Sequence, residues 1–193
     1  MPEEIRLHFR GPFTFTGGDR SLFHCSLTGA PCVYLWTFKS DLDGRYWIHY
    51  IGEAASFAKR QREHLIGLLG LHYGIFDPVE ARKGIQKRIY GGLWRDKTAE
   101  GSIKQLEAYA KITDNVLKYI ESLDVFAAET IPDRRFRQQV EGSISWNLRN
   151  NHKEYKVLYP DDNHVGTLIQ KLGLVLRISA DHPIAGLDEL LGI

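Results

Sequence analysis

The sequence has no apolar run approaching the roughly 18 to 20 residues that span a bilayer, which argues against a transmembrane helix. Its start, Met-Pro-Glu-Glu, has neither the basic region nor the apolar region of a secretory signal. Cysteine is scarce: Cys25 and Cys32 form no CxxC pair and no disulfide framework, which favours a reducing compartment. The chain therefore reads as soluble and cytoplasmic, with no membrane partner. A dominant charge is also missing, since 25 Lys+Arg stand against 24 Asp+Glu for a net charge of +1. A polyanionic partner would have to be held by a local cluster. GxSxG, GxGxxG, HExxH and GxxxxGK[ST] are absent, which removes the commonest hydrolase, dinucleotide, zinc-protease and nucleotide signatures. His24, Cys25, Cys32 and His49 match no common zinc spacing.

What is present is of single-domain size, 193 residues, and its most informative stretch is 46–65. Tyr-Trp-Ile-His-Tyr-Ile suits a pleated, half-buried strand, Gly52 permits a sharp exit, and Ser56 can N-cap a helix starting at Phe57. On that helix Arg60 and His64 are four apart and share a face, while Phe57 and Leu65 turn toward a core. Upstream, 33–38 reads as the partner strand to 45–51, joined through a segment ending in Asp43-Gly44, a strong hairpin signal.

Around this centre, 5–16 reads as one or two short strands. Asp77-Pro78-Val79-Glu80 predicts a helix running to Gly91-Gly92, with Gly84 a weak point inside it. Ser102 opens a second helix carrying Ile103, Leu106, Ala110, Val116 and Ile120 near helical spacing. A third strand is expected over 125–130, then a long helix after Pro132 in which Phe136, Val140, Ile144 and Leu148 recur every fourth residue. Glu141 lies beside that stripe, on a face shared with Arg137 and Ser145. Further strands are expected over 154–158 and 172–179, with a short helix between them.

Tyr50-Ile51-Gly52, an arginine eight residues after that glycine and a histidine four further on resemble the second half of the GIY-YIG nuclease signature. Cys32-Val33-Tyr34 occupies the place of the first half, with Cys32 where the family usually has glycine. The resemblance implies an α+β fold: a small antiparallel sheet of about three core strands flanked by helices, in one nuclease domain. Its core would be 30–73 and 124–151, its helical insertion 74–123, with terminal additions 1–29 and 152–193. It also implies a metal-dependent endonuclease hydrolysing DNA, or alternatively RNA, through Tyr34, Tyr50, Arg60, His64 and Glu141. Glu141 would hold one Mg²⁺ or Mn²⁺ per active site, and Asn150 or Asn151 would match the family's asparagine after the glutamate helix.

The chemistry of these residue types suits that task. A carboxylate can hold a hard cation, a guanidinium grips a phosphate oxygen in a planar fork, and a phenol or imidazole can orient a water. Tyr34 is expected to position or deprotonate the water, and His64 to orient Tyr34 or shuttle the proton. The basic run around Lys87, Arg88 and Arg95, interleaved with Tyr90 and Trp94, is expected to hold nucleic acid. The alternative is a GIY-YIG-fold nucleic-acid-binding module without turnover. Monomer and homodimer fit the sequence equally.

Overall fold

The computed structural model describes residues 4–93, 98–153, 155 and 173–192. In chain order its elements are β1 (Glu4–Phe13), β2 (Cys32–Lys39), β3 (Tyr46–Ala54), α1 (Phe57–Leu69), β4 (Ile75–Phe76), α2 (Pro78–Arg82), β5 (Arg88–Tyr90), α3 (Ala99–Ser122), β6 (Asp124–Glu129), α4 (Arg134–Asn151), β7 (Val175–Ala180), β8 (Ile184–Ala185) and β9 (Leu190–Gly192). The expected 154–158 strand and the helix after it, together with Trp94, Arg95 and Lys97, lie outside the described residues, residue 155 excepted.

The small antiparallel sheet of about three core strands that the resemblance implies is not what the chain forms. β3, β2 and β6 are adjacent, and they belong to a curled, mixed sheet of seven strands ordered β8-β3-β2-β6-β1-β7-β9, with β4 and β5 forming a separate pair. The fold is α+β, and the small antiparallel sheet is corrected to this half-barrel. The physical reason lies at β6: its free edge takes β1 antiparallel, and β1 takes β7 parallel over Glu4↔Val175 to Phe9↔Ala180. An apolar strand edge left unpaired is costly, and the terminal segments 4–13 and 175–192 cover it.

Helices lie on both faces. One core is built by Leu7, Val33, Leu35, Ile48, Ile51 and Phe126 against Phe136, Val140, Ile144 and Leu148 of α4. The other packs Tyr34, Trp36, Phe38, Val125 and Ala127 against Phe57 and Leu68 of α1 and Ile112, Val116 and Ile120 of α3. The four-residue stripe of α4 is fully used, and Asp133 caps the helix by accepting from the Arg135 amide at 2.8 Å.

The helix expected to run from Asp77 to Gly91 stops at Arg82. Gly84 adopts a left-handed φ of 78°, which a helix cannot continue through, and its bare Cα packs on the Trp47 ring. Beyond it, Arg88 and Tyr90 pair with Phe76 and Ile75 as a strand.

Candidate active site

The site begins with a register. β2 and β3 pair so that Tyr34 stands opposite Gly52 and Trp36 opposite Tyr50, and the next pair is Thr37↔Ile48. His49 is therefore the extra residue of a β-bulge, and the bulge turns both His49 and Tyr50 toward the α1 and α3 side. Gly52 does the complementary work. A Cβ there would overlap the Tyr34 hydroxyl and lie 2.9 Å from Tyr50 Cε1, so the missing side chain is what lets the Tyr34 ring lie across its neighbour strand.

Seated this way, Tyr34 is fully enclosed and its hydroxyl lies 2.6 Å from His64 Nε2. Tyr34, Tyr50 and His64 form one aromatic group, with ring centroids 6.1 Å apart for the two tyrosines and 5.5 Å for Tyr50 and His64. Replacing Gly52 with alanine is expected to displace Tyr34, abolish its hydrogen bond to His64, and lower both stability, by about 2 to 3 kcal/mol, and any activity of the site. Thermal melts and the Tyr34 ring resonances would read the change, and a wild-type melting temperature would refute the packing argument.

Helix α1 presents this group differently from the expectation. Its buried residues are Phe57, Gln61, His64 and Leu68, so His64 belongs to the packing face and Arg60 flanks it. Leu65 is only partly buried. Gln61 is completely buried and accepts a hydrogen bond from Trp36 Nε1 at 2.9 Å, an anchor that the charged look of the helix concealed. Ser56 stands at the N-cap position, but its side chain makes no cap; its hydroxyl instead reaches the Thr28 carbonyl at 3.5 Å.

Burial and charge sort the titratable groups. Burial, with the Arg60 charge added, pushes His64 down to about 3, so it is neutral at pH 7. That suits holding the Tyr34 hydroxyl and opposes the expected proton shuttle. Burial also raises the Tyr34 phenol well above 10, with Tyr50 adding to the rise, which opposes the expected role of Tyr34 as water activator. Tyr50 is half-buried, and it is raised by burial and by the charge of Glu141, with Tyr34 and Arg60 acting in the opposite sense. The Arg60 side chain is 40% exposed and pairs with Glu63 at 3.0 Å. Burial opposes its charge, but Tyr34 and Glu63 hold the guanidinium firmly protonated.

Glu141 arrives from the opposite face of the sheet. β8 covers β3 only at Tyr46 and Trp47, so among the described residues the rest of β3 is an open edge. Around that edge Glu141 comes within electrostatic reach of Tyr50 and Arg60. Its carboxyl is pushed up to about 7, first by burial, then by the charge of Glu53, with Arg60 pulling the other way. Among the described residues it makes no hydrogen bond or ion pair. Arg137 is not its partner: that guanidinium, 2% exposed, donates from Nε to Glu53 at 2.8 Å.

The remaining expected residues lie elsewhere. Asn150 and Asn151 are nine and ten positions along α4 from Glu141, about 14 Å at helical rise. Their amides are used locally, on the Trp146 carbonyl at 2.8 Å and on Asn147 at 2.5 Å. Lys87 pairs with Asp77 at 3.1 Å, and Arg88 stacks over Phe76 at 5.1 Å, so this part of the basic run is engaged with its own hairpin. Arg95 lies outside the described residues. Cys32 is a buried strand residue whose thiol burial raises to about 12, which makes it inert.

Two residues at the site were missed. Glu53 follows Gly52 directly, and its proximity to Glu141 depends on pairing between distant segments. Tyr73 lies 5.7 Å from the His64 ring and contributes to the charge environment of Tyr50.

For the metal that the resemblance implies, the residues present fit a sparse mode of binding. No group of three or more His, Cys, Asp or Glu able to hold a metal occurs among the described residues, so these form no cage of their own. A single half-buried carboxylate, its charge opposed by burial and by Glu53, is what Mg²⁺ uses when most of its other ligands are waters and substrate oxygens. No helix among the described residues is long and apolar enough to cross a membrane. Set against protein-family models, curated proteins and solved structures, the chain matches none of them.

Proposed function

We propose that this chain is a metal-dependent endonuclease of the GIY-YIG type that hydrolyses DNA phosphodiester bonds. The observation that carries the proposal is the meeting of Glu141, Arg60 and Tyr50 around the open edge of β3, from segments on opposite faces of the sheet. A guanidinium, a phenol and a carboxylate in one half-buried place are the groups that phosphoryl-transfer chemistry needs: a fixed cation for phosphate oxygens, a hydroxyl to orient a nucleophile, and an acid for a divalent ion.

The roles follow from burial. Arg60, the most exposed of the group, binds and orients a nonbridging phosphate oxygen. Tyr50, half-buried, is the phenol that meets the substrate side. Tyr34 is enclosed, and holds Tyr50 and His64 in place. Glu141 holds the ion, which when bound supplies charge to the phosphate and lowers the pKa of a water.

The test is nicking of supercoiled plasmid DNA with Mg²⁺, abolished by a chelator. Because the Glu141 carboxyl ionises near 7, cleavage is expected to rise with pH through about 7 at low Mg²⁺. Metal and proton compete for that carboxylate, so the midpoint should move to lower pH as Mg²⁺ is raised. A midpoint independent of Mg²⁺ would exclude Glu141 as the ligand. One observation favours the second reading, a nucleic-acid-binding module without turnover: Tyr34 is enclosed and its hydroxyl is engaged by His64 at 2.6 Å. Plasmid binding without cleavage across Mg²⁺ and Mn²⁺ would decide for it.

A further inference from the structure

We propose that Arg137 and Glu53 are positioning residues, whose ion pair clamps α4 to the open edge of β3 and so sets where Glu141 meets Arg60 and Tyr50. One guanidinium ties three segments: Arg137 sits on α4, donates from Nε to Glu53 of β3 at 2.8 Å, and donates from Nη1 to the Pro132 carbonyl in the β6–α4 turn at 2.6 Å. The Arg137 side chain is 2% exposed and that of Glu53 16%, while Arg134 adds a looser contact to the same carboxylate at 3.7 Å.

Stability is a poor account of this pair. Two charges taken out of water must offset their lost hydration, and well-packed apolar replacements of such pairs are often neutral or stabilising. Helix α4 is already anchored by Phe136, Val140, Ile144 and Leu148. An aliphatic stripe, however, tolerates sliding and small rotations, and a rotation by one residue is 100° of helix. Directed hydrogen bonds from a rigid guanidinium to a carboxylate and a carbonyl do not tolerate them. Glu141 stands four residues after Arg137, on the same helix face, so whatever fixes Arg137 fixes Glu141. Glu53 is next to Gly52, so one dipeptide of β3 seats Tyr34 through its glycine and Glu141 through its acid.

The inference rests on the nuclease reading only for its kinetic arm. The test is the double substitution Glu53→Leu with Arg137→Met, alongside Arg137→Lys, which keeps the charge but loses the fork. The double variant is expected to melt within a few degrees of wild type and, in its crystal structure, to show the Glu141 carboxylate shifted by more than about 1 Å relative to Arg60. Its kcat on plasmid should fall roughly 10- to 100-fold with KM little changed, as a misplacement of that size costs. Arg137→Lys is expected to lie between the two. A crystal structure of the double variant with Glu141 unmoved overturns the proposal, and so does wild-type kcat. Loss of folding in the double variant with wild-type behaviour of Arg137→Lys overturns it too, because the pair would then serve stability. If wild type cuts no DNA, the nuclease reading fails, and the position of Glu141 in the variant crystal still decides the clamp.

Discussion

Replacing Glu141 with alanine is expected to reduce Mg²⁺-dependent nicking by about 10³-fold or more, to background, and to leave the protein folded. Removing one preorganised electrostatic group commonly costs 10² to 10³, and here the group is also the ion's only proposed protein ligand. Arg60→Ala should fall by a similar factor. Arg60→Lys should recover only part of the activity, because an ammonium keeps the charge and loses the planar fork. The same Glu141→Ala variant carries a second signature. The folded-state carboxyl ionises near 7 against an ordinary value of 4.5, so Glu141 favours the folded state below about pH 4.5 and loses that advantage as pH rises through 7. Discounted for its partial exposure, the penalty above pH 7 is about 1 to 3 kcal/mol. Glu141→Ala is therefore expected to melt above wild type at pH 8 while being inactive, the trade-off of an acid held in place for chemistry. Urea titrations at pH 8 beside plasmid assays would check both halves. Activity that survives both Glu141→Ala and Arg60→Ala would come from a contaminant or from another site.

A steep acid unfolding is expected from two histidines on one face of the sheet. His64 lies 2.6 Å from the Tyr34 hydroxyl and His49 2.7 Å from that of Tyr119. Burial pushes both imidazoles down to about 3, with Arg60 adding to the effect on His64 and Arg88 on His49. Both groups therefore stabilise the fold fully above the unfolded histidine value of 6.5, and that stabilisation is lost as pH falls toward 3. Each accounts for about 1.4 kcal/mol per pH unit across the window, together about 2.7. Between pH 7 and 4.5 the protonation of Glu141 works in the opposite direction and offsets part of the loss. Below 4.5 it no longer does. Stability should thus fall by about 1 to 2 kcal/mol per unit between pH 6.5 and 4.5 and by roughly 3 kcal/mol per unit below 4.5, which exhausts the lower part of a typical 5 to 15 kcal/mol near pH 3 to 4. Urea midpoints measured against pH would show the break. His49→Gln and His64→Gln should each reduce the slope by about half, and wild-type slopes in both variants would refute the assignment.

The local chemistry of the site was legible because it is carried by short spacings. The strand, turn and helix over 46–65 follow from β-branched and aromatic residues giving way at Gly52 to a helical pattern, and both elements form where expected. The α4 stripe likewise follows from a four-residue period. Spacing also put Arg60 and His64 on one face, yet it did not show that this face is half core. Which flank of a helix is buried depends on what packs against it, and Gln61 and His64 are covered by Trp36 and Tyr34 of β2. The placement of the asparagines has a related cause: they share a helix with Glu141 but stand about 14 Å further along its axis, with their amides used locally.

By itself the sequence determined which segments are strands and helices around Gly52, which residues can carry charge or protons, and that the late acid Glu141 sits one turn after Arg137. Only the tertiary structure decided that 4–13 and 175–192 complete a seven-stranded sheet, that β3 keeps an open edge, and that Glu53 claims Arg137 beside Glu141. The difference is physical. Helical and strand periods are set by neighbours a few residues apart, whereas strand pairing and buried ion pairs join groups as much as 171 positions apart, as Glu4↔Val175 does, and no local pattern records them.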